Sequence, residues 1–387
     1  MKLEGRSIHI VGSAAPDADA TKLTYAHELV RKLVTELAKK GAKFVVPFNS
    51  EPFLAGSDLG PAITFDWTIV EAVGDAISTG QANPNGISGR ILQSLATSKT
   101  DEQIPEARRP LYDSLRSMDA VHLDFAEPGW SAGAYRRNLL AQMGDIMIAV
   151  SGGEGTEHLA QVYSSKGKPV IPLDLQLGAS QNDGSGGAAR LFEKALTVPS
   201  NYFSVCDAGS PSELLDRTRT RNAQTPIDSV VSNLILLLEK LESPKIFYVR
   251  LLKAELPEFP AVEMFFRNVV DPFVQSIGYE SFEMGRDKHE YAWMNEAIFS
   301  KLHFSSAVFV DVTGLRPNCF VELGYALGNL QKVILSAEAS TKIPFDVSPL
   351  EFFMWDKSSS TDKLQTDLDI HWKRNSDRPG LVNARRA

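Results

Sequence analysis

In the stretch DVTGLRPNCFVELGYALG, residues 311–328, a glutamate sits inside an otherwise apolar helix start. The apolar run AVFVDV ends on Asp311, Thr313 and Gly314 turn the chain, and Arg316, Pro317 and Asn318 fill the loop. A helix is expected to begin near Asn318 or Cys319. Glu322 then lies about one turn inside it, near the carboxyl edge of a strand, where it can face a crevice. A fixed carboxylate there can bond to an electron-poor centre or offset positive charge that develops on one. The helix dipole alone also favours an acid in a first turn, but it does not explain Asp, Pro-Asn, Glu and Gly together at these spacings. Gly324 is expected to let helix and strand pack closely or a ring stack, and Tyr325 to border the crevice. Asp311 either binds a sugar hydroxyl or caps the turn.

A second candidate is VSGGEGTEHLAQVY, residues 150–163, which runs strand, glycine turn, helix. Gly152, Gly153 and Gly155 permit a tight turn with outward N–H groups, and the helix beginning near Thr156 adds its positive end. Together they make a phosphate cradle at a strand's carboxyl end, where open α/β sheets bind ligands. Glu154 lies within the turn. Gly12 and Ser13, which close the first apolar run, and Arg136 and Arg137 upstream complete the expected ligand-binding set.

The elements that must position these residues alternate as an α/β chain does. SIHIVGS (7–13), KFVVPF (43–48), DAVHLDF (119–125), DIMIAVSGG (145–153) and KPVIPL (168–173) read as strands. Leu23, Ala26, Leu29, Val30, Leu33, Val34 and Leu37 recur at helical spacing before Gly41. Between residues 50 and 120 only AITFDWTIVEAVGDAI stands out, as a buried strand–helix unit. GASQNDGSGGAAR (178–190) reads as a loop and 205–224 as linker. In TPIDSVVSNLILLLEKLESP, Thr225 is the expected N-cap and Pro226 the first helical residue. We expect this helix to bridge a first domain, 1–205, and a second, 244–387, with 206–243 as linker. The second domain starts with KIFYVRLL (245–252) and continues through helices at 261–278 and 291–305 to AVFVDV (307–312) and KVILS (332–336).

Two family resemblances follow. AYRRNLLAQMGDIMIAVSGGEGTEHL resembles the SLOG superfamily, the Rossmann-like group that includes the LOG phosphoribohydrolases. Arg136 or Arg137 matches the family's helix arginine, and Gly152, Gly153, Gly155 and Thr156 match its P-G-G-x-G-T loop. The family's catalytic glutamate falls on Leu159, and its leading proline is Ser151. Glu157 is close in sequence but points about 160° away on an ideal helix. A cradle without the hydrolytic carboxylate implies a sensor of a nucleotide-derived signal. The opening motif resembles the nucleoside 2-deoxyribosyltransferase-like group related to bacterial TIR domains. Asp311, Thr313, Pro317, Asn318, Glu322, Leu323, Gly324 and Ala326 match D-x-T-x-x-x-P-N-x-x-x-E-L-G-x-A. The resemblance implies Glu322 as the catalytic residue, with Asp311, Thr313, Asn318, Gly324 and Tyr325 around the substrate. Arg250 and Lys253, after the unit's first strand, are candidate phosphate partners.

The fold class expected is therefore α/β, two Rossmann-like parallel-sheet domains in series joined by a bridging helix. The resemblances imply a signal-regulated N-glycosidase acting on NAD as substrate rather than cofactor, in bacterial antiviral defence. A nucleoside or deoxynucleotide transferase or hydrolase is one alternative, and a non-enzymatic nucleotide-binding regulator another. Self-association is expected, because TIR-like sites are often completed by a neighbouring subunit. The chain of 387 residues carries a net charge of −8, which gives no bias toward nucleic acid or anionic membrane. Its two cysteines, Cys206 and Cys319, argue against a disulfide scaffold or a Cys-based metal cluster, and its seven histidines lack metal-ligand spacing. No metal and no membrane span are expected, and the default location is cytoplasmic.

Overall fold

The computed structural model describes residues 2–55, 60–86, 89–126, 132–178, 187–206, 210–220, 224–283 and 294–375. Its contacts divide the chain between Glu242 and Ser243.

The first unit is built on six parallel strands: β1 (Ser7–Val11), β2 (Lys43–Val45), β3 (Leu92–Ala96), β4 (Val121–Phe125), β5 (Ile146–Ala149) and β6 (Val170–Pro172). From edge to edge the order is β4-β3-β2-β1-β5-β6. The chain winds outward from β1 in one direction, then returns to lay β5 against its other side. Ile8 pairs with Ile146 and Val11 with Ala149. Helices on both faces explain why β5 is an unbroken buried apolar run rather than an alternating one.

The helix α1 (Ala20–Lys39) follows the expected stripe, with Leu23, Ala26, Leu29, Val30, Leu33, Val34 and Leu37 buried. Asp19 caps it by accepting from the Lys22 N–H at 2.9 Å. The difficult middle region resolves into a strand and helices. AITF is not a regular strand: α2 (Asp66–Ser78) starts directly after it. The missed strand is β3, whose five residues are all buried although Gln93 and Ser94 are polar. Gln93 fits there because its Oε1 accepts from Ser7 Oγ at 2.8 Å. On the other side of the sheet lie α3 (Ala132–Met143) and α4 (Glu154–Ser165).

The stretch expected as linker contains a short helix, Pro211–Asp216, with Leu214 and Leu215 in the first unit's core. The helix expected as a bridge, α5 (Ile227–Lys240), also lies in this unit. Val230, Val231, Leu234, Leu237 and Leu238 join the same core, and Lys40 pairs with Glu239 at 2.8 Å. Burying five apolar side chains against α1 and its neighbours fixes the helix there. Its N-cap is Pro226, held extended at ψ 121°, so helix begins one residue later than expected.

The second unit has five parallel strands, β7 (Lys245–Val249), β8 (Glu280–Glu283), β9 (Ala307–Asp311), β10 (Lys332–Glu338) and β11 (Phe352–Trp355). Their order is β8-β7-β9-β10-β11, so the reversal falls between β7 and β9. The fold is therefore mixed α/β with two Rossmann-like parallel sheets. The expected helix at 261–278 is interrupted by a π turn at Phe266–Val270. Pro272 supplies the reason: it has no N–H to give the carbonyl of Asn268 and its ring crowds that carbonyl. The orphaned Asn268 oxygen accepts instead from Gln365 Nε2 at 2.9 Å. The helix α6 (Pro317–Gly328) begins at Pro317 rather than at Asn318 or Cys319, since proline is well suited to a first helical position. Among the described residues no helix is long and apolar enough to cross a membrane.

Candidate functional site

The crossover between β1 and β5 opens a cavity of about 440 Å³ at the carboxyl ends of the strands. All nine residues expected to bind ligand line it: Gly12, Ser13, Arg136, Arg137, Gly152, Gly153, Glu154, Gly155 and Thr156.

Close backbone approach assembles the floor. A Cβ on Gly12 would sit 2.5 Å from the Ser151 nitrogen, and one on Gly152 would sit 2.1 Å from Thr156 Oγ1. Both glycines are in left-handed conformations, φ 144° and 98°, so their identity serves backbone geometry and space alike. Gly153 is the N-cap of α4, and its carbonyl receives the Thr156 N–H at 3.0 Å. With no side chain capping it, the helix presents its positive end to the cavity.

The cationic wall comes from α3. Arg137, which lines the cavity, donates from Nε to His158 Nδ1 at 2.6 Å, a partner the sequence did not suggest. Arg136 carries no such tether. Burial lowers its affinity for a proton, and nearby Asp66 offsets part of that. Glu157 points elsewhere, as its helical phase requires, and pairs with Arg190 at 2.5 Å. Leu159, where the SLOG pattern has its glutamate, lines the cavity. His9 lies in the wall too, and burial holds its imidazole down at about 3, so it is neutral.

Sequence reasoning missed Asp66, the first residue of α2. The turn after β1 is stitched to the segment before α2 by Ala14 N–H to Ile63 O at 2.7 Å and a Ser13–Thr64 bridge. This brings Asp66 and Asn49 to the cavity wall. Burial raises the Asp66 carboxyl to about 7, against the opposing pull of Arg136.

The second unit does not gather its expected residues in this way. Asp311 is fully buried and its carboxylate is consumed inside the fold. Oδ1 accepts from the Thr313 N–H at 3.0 Å, and Oδ2 from Ser336 Oγ at 2.6 Å and Trp355 Nε1 at 2.9 Å. The bond from Thr313 is a turn cap. Thr313 is also internal, its Oγ1 accepting from the Glu338 N–H at 2.9 Å. Arg250 is buried between Glu283 and Glu263 and stacks over Phe266, with its Nη1 buried and without a hydrogen-bond partner among the described residues. The space beside Gly324 is open, which removes the close-packing reason for a glycine there. Asn318 is exposed, and Tyr325 is tied to His303 Nδ1 at 2.9 Å. Glu322 remains half-buried on α6, where burial raises its carboxyl to about 7. Burial, with a further push from Glu322, raises the Cys319 thiol to about 12. His289, Glu290 and Trp293, which the sequence places ahead of the second unit's later helix and which read as solvated loop rather than crevice lining, lie outside the described residues.

The first unit is thus a doubly wound α/β unit whose crevice lies where strand order reverses. That region carries a family likeness: residues 3–238 match the N-terminal family of Cap17-like ATP nucleosidases, and the chain belongs to that family. An Escherichia coli (strain KTE188) protein named ATP nucleosidase Cap17 is 25% identical over 177 residues, covering 46% of this chain and 34% of that protein. A second Escherichia coli protein of the same name matches with the same figures. The matched stretch spans about a third of the length of each relative.

Proposed function

We propose that this chain is a nucleotide N-glycosidase effector of antiviral defence. Its first unit binds a phosphorylated nucleoside in the β1–β5 crevice, and its second unit cleaves an N-glycosidic bond at Glu322. The observation that carries the reading is the crevice itself. A glycine floor, an uncapped helix end and two arginines line it, and Asp66 and Asn49 line it too. The relatives named ATP nucleosidases support N-glycosidic chemistry on a nucleotide, with ATP and NAD as the substrates to test.

In the reaction proposed, the bond between sugar C1′ and the base nitrogen breaks, and the bonding electrons leave with the base. The Glu322 carboxylate offsets the positive charge left on the sugar, and water adds its oxygen at C1′. One water proton goes to solvent; adenine leaving ATP takes up a proton, whereas nicotinamide leaves NAD as a neutral base, so a free base and a sugar hydroxyl result in either case. Leu159 in the first crevice offers no group for this role. Purified protein incubated with ATP, NAD and deoxynucleosides, and read by chromatography, tests the proposal. Free base from ATP or NAD is the expected product, and base exchange between deoxynucleosides would make the chain a transferase. If Glu322→Gln leaves turnover unchanged, catalysis lies elsewhere, and Asp66 becomes the carboxyl to examine.

A further inference from the structure

The geometry points to Asp66 as a protonated carboxylic acid in the ligand-bound crevice, donating a hydrogen bond to an acceptor on the base of the bound nucleotide. This rests on the reading of the crevice as a site for a phosphorylated nucleoside.

Asp66 lines the same cavity as the glycine turn and Arg136, which is close enough to act on its carboxyl. No hydrogen bond or ion pair ties it to a described residue. It is held in place rigidly, because its neighbour Trp67 is buried and donates from Nε1 to the Asn49 carbonyl at 2.9 Å. The charged groups around it are Arg136 from α3, which favours its ionised form, and Glu51 after β2, which opposes it. Glu51 is itself engaged with Arg108 at 2.7 Å. Arg137 and Glu154 line the same cavity, and His9 is neutral. In the empty crevice these influences leave the carboxyl titrating near 7. A bound phosphate chain changes the balance in one direction. It neutralises Arg136, the group favouring ionisation, and adds negative charge beside the carboxyl, and both effects favour the protonated form. A nucleotide therefore brings a proton with it. A carboxylic acid can donate to a ring nitrogen or carbonyl of the base, which a carboxylate cannot.

The test uses full-length protein and three probes, ATP, NAD and inorganic triphosphate, by titration calorimetry in buffers of differing ionisation enthalpy. Proton uptake on nucleotide binding at pH 7.5 is expected, with affinity falling about tenfold or more between pH 7 and pH 8.5. Asp66→Asn, which keeps a donor at the same place, should bind at least as tightly as the native chain and lose the pH dependence. Asp66→Ala should weaken ATP or NAD binding about tenfold and leave triphosphate binding unweakened. Thermal melts confirm that the variants are folded. If Asp66→Asn weakens binding as Asp66→Ala does, the carboxylate is an acceptor from ribose hydroxyls and the proposal is overturned. Nucleotide binding without proton uptake overturns it as well. If none of the three probes binds native protein, the crevice reading fails, and this inference with it.

Discussion

Asp66 and Glu322 are half-buried carboxyls on separate units, each raised by burial to about 7. A carboxyl whose folded value lies above its unfolded value contributes stability at acid pH that is lost as pH rises through the folded value. Asp66→Asn and Glu322→Gln should therefore raise the melting temperature at pH 8 and leave it nearly unchanged at pH 4, as melts across that range would show. Glu322→Gln should also lower N-glycosidase turnover by about 10²-fold or more while the circular dichroism stays native. If the ionised Glu322 acts on the sugar, native turnover rises with pH through about 7. The two carboxyls were not equally legible. Glu322 stood out because Asp, Pro-Asn and Gly surround it at fixed spacing. Asp66 reads as an ordinary acid in a first helical turn. Only the pairing of Ser13 and Ala14 with Thr64 and Ile63 turns it toward the crevice, and no local pattern encodes that pairing.

At the scale of elements, the glycine turns separate space from flexibility. Ala at Gly12 or Gly152 would drive a methyl into Ser151 backbone or Thr156 in a left-handed conformation. Each should cost about 1–3 kcal/mol of stability and abolish ATP or NAD binding. Gly155 faces open space, and Gly155→Ala should melt within a degree or two of native protein. Denaturant melts with a parallel calorimetric titration check the contrast. Long periodic helices such as α1 were legible, since burial follows the apolar stripe. β3 was not, because the polar Gln93 and Ser94 interrupt its apolar run; Ser7 Oγ donates to Gln93, while Ser94 Oγ is buried without a hydrogen-bond partner among the described residues. The π turn escaped for a different reason: Pro272 announces a disturbance, but only Gln365, nearly a hundred residues on, shows how the freed carbonyl is satisfied.

For the whole molecule, the hydrophobic clusters each draw on one unit alone: those within residues 3–241 share no member with those within 246–372. Residues 1–242, with α5 included, should therefore fold and bind ATP or NAD without releasing free base, which gel filtration, calorimetry and chromatography together would establish. Cutting at 205 instead removes Val230, Val231, Leu234, Leu237 and Leu238 from the core and should leave an aggregating product. In the intact chain we expect ligand in the first crevice to raise cleavage by the second unit, by as much as its differential affinity for the two states allows. Arg136→Ala with Arg137→Ala should remove the activation and leave the basal rate. Cleavage that is full without ligand would end the sensor–effector reading. The alternation of strands and helices made the α/β class legible, but the strand order, and so the place of each reversal, emerged only from the pairing in space.

If the first crevice is a sensor, Leu159 sets its clock. A ligand held against an apolar wall leaves as it arrived, so the duration of the signal depends on how slowly the complex dissociates and how fast other enzymes remove the free ligand. Glutamate at that position would turn the receptor into a sink for its own message, and the response would fade at the rate of turnover. On that reading, leucine makes the memory of the event a matter of residence time.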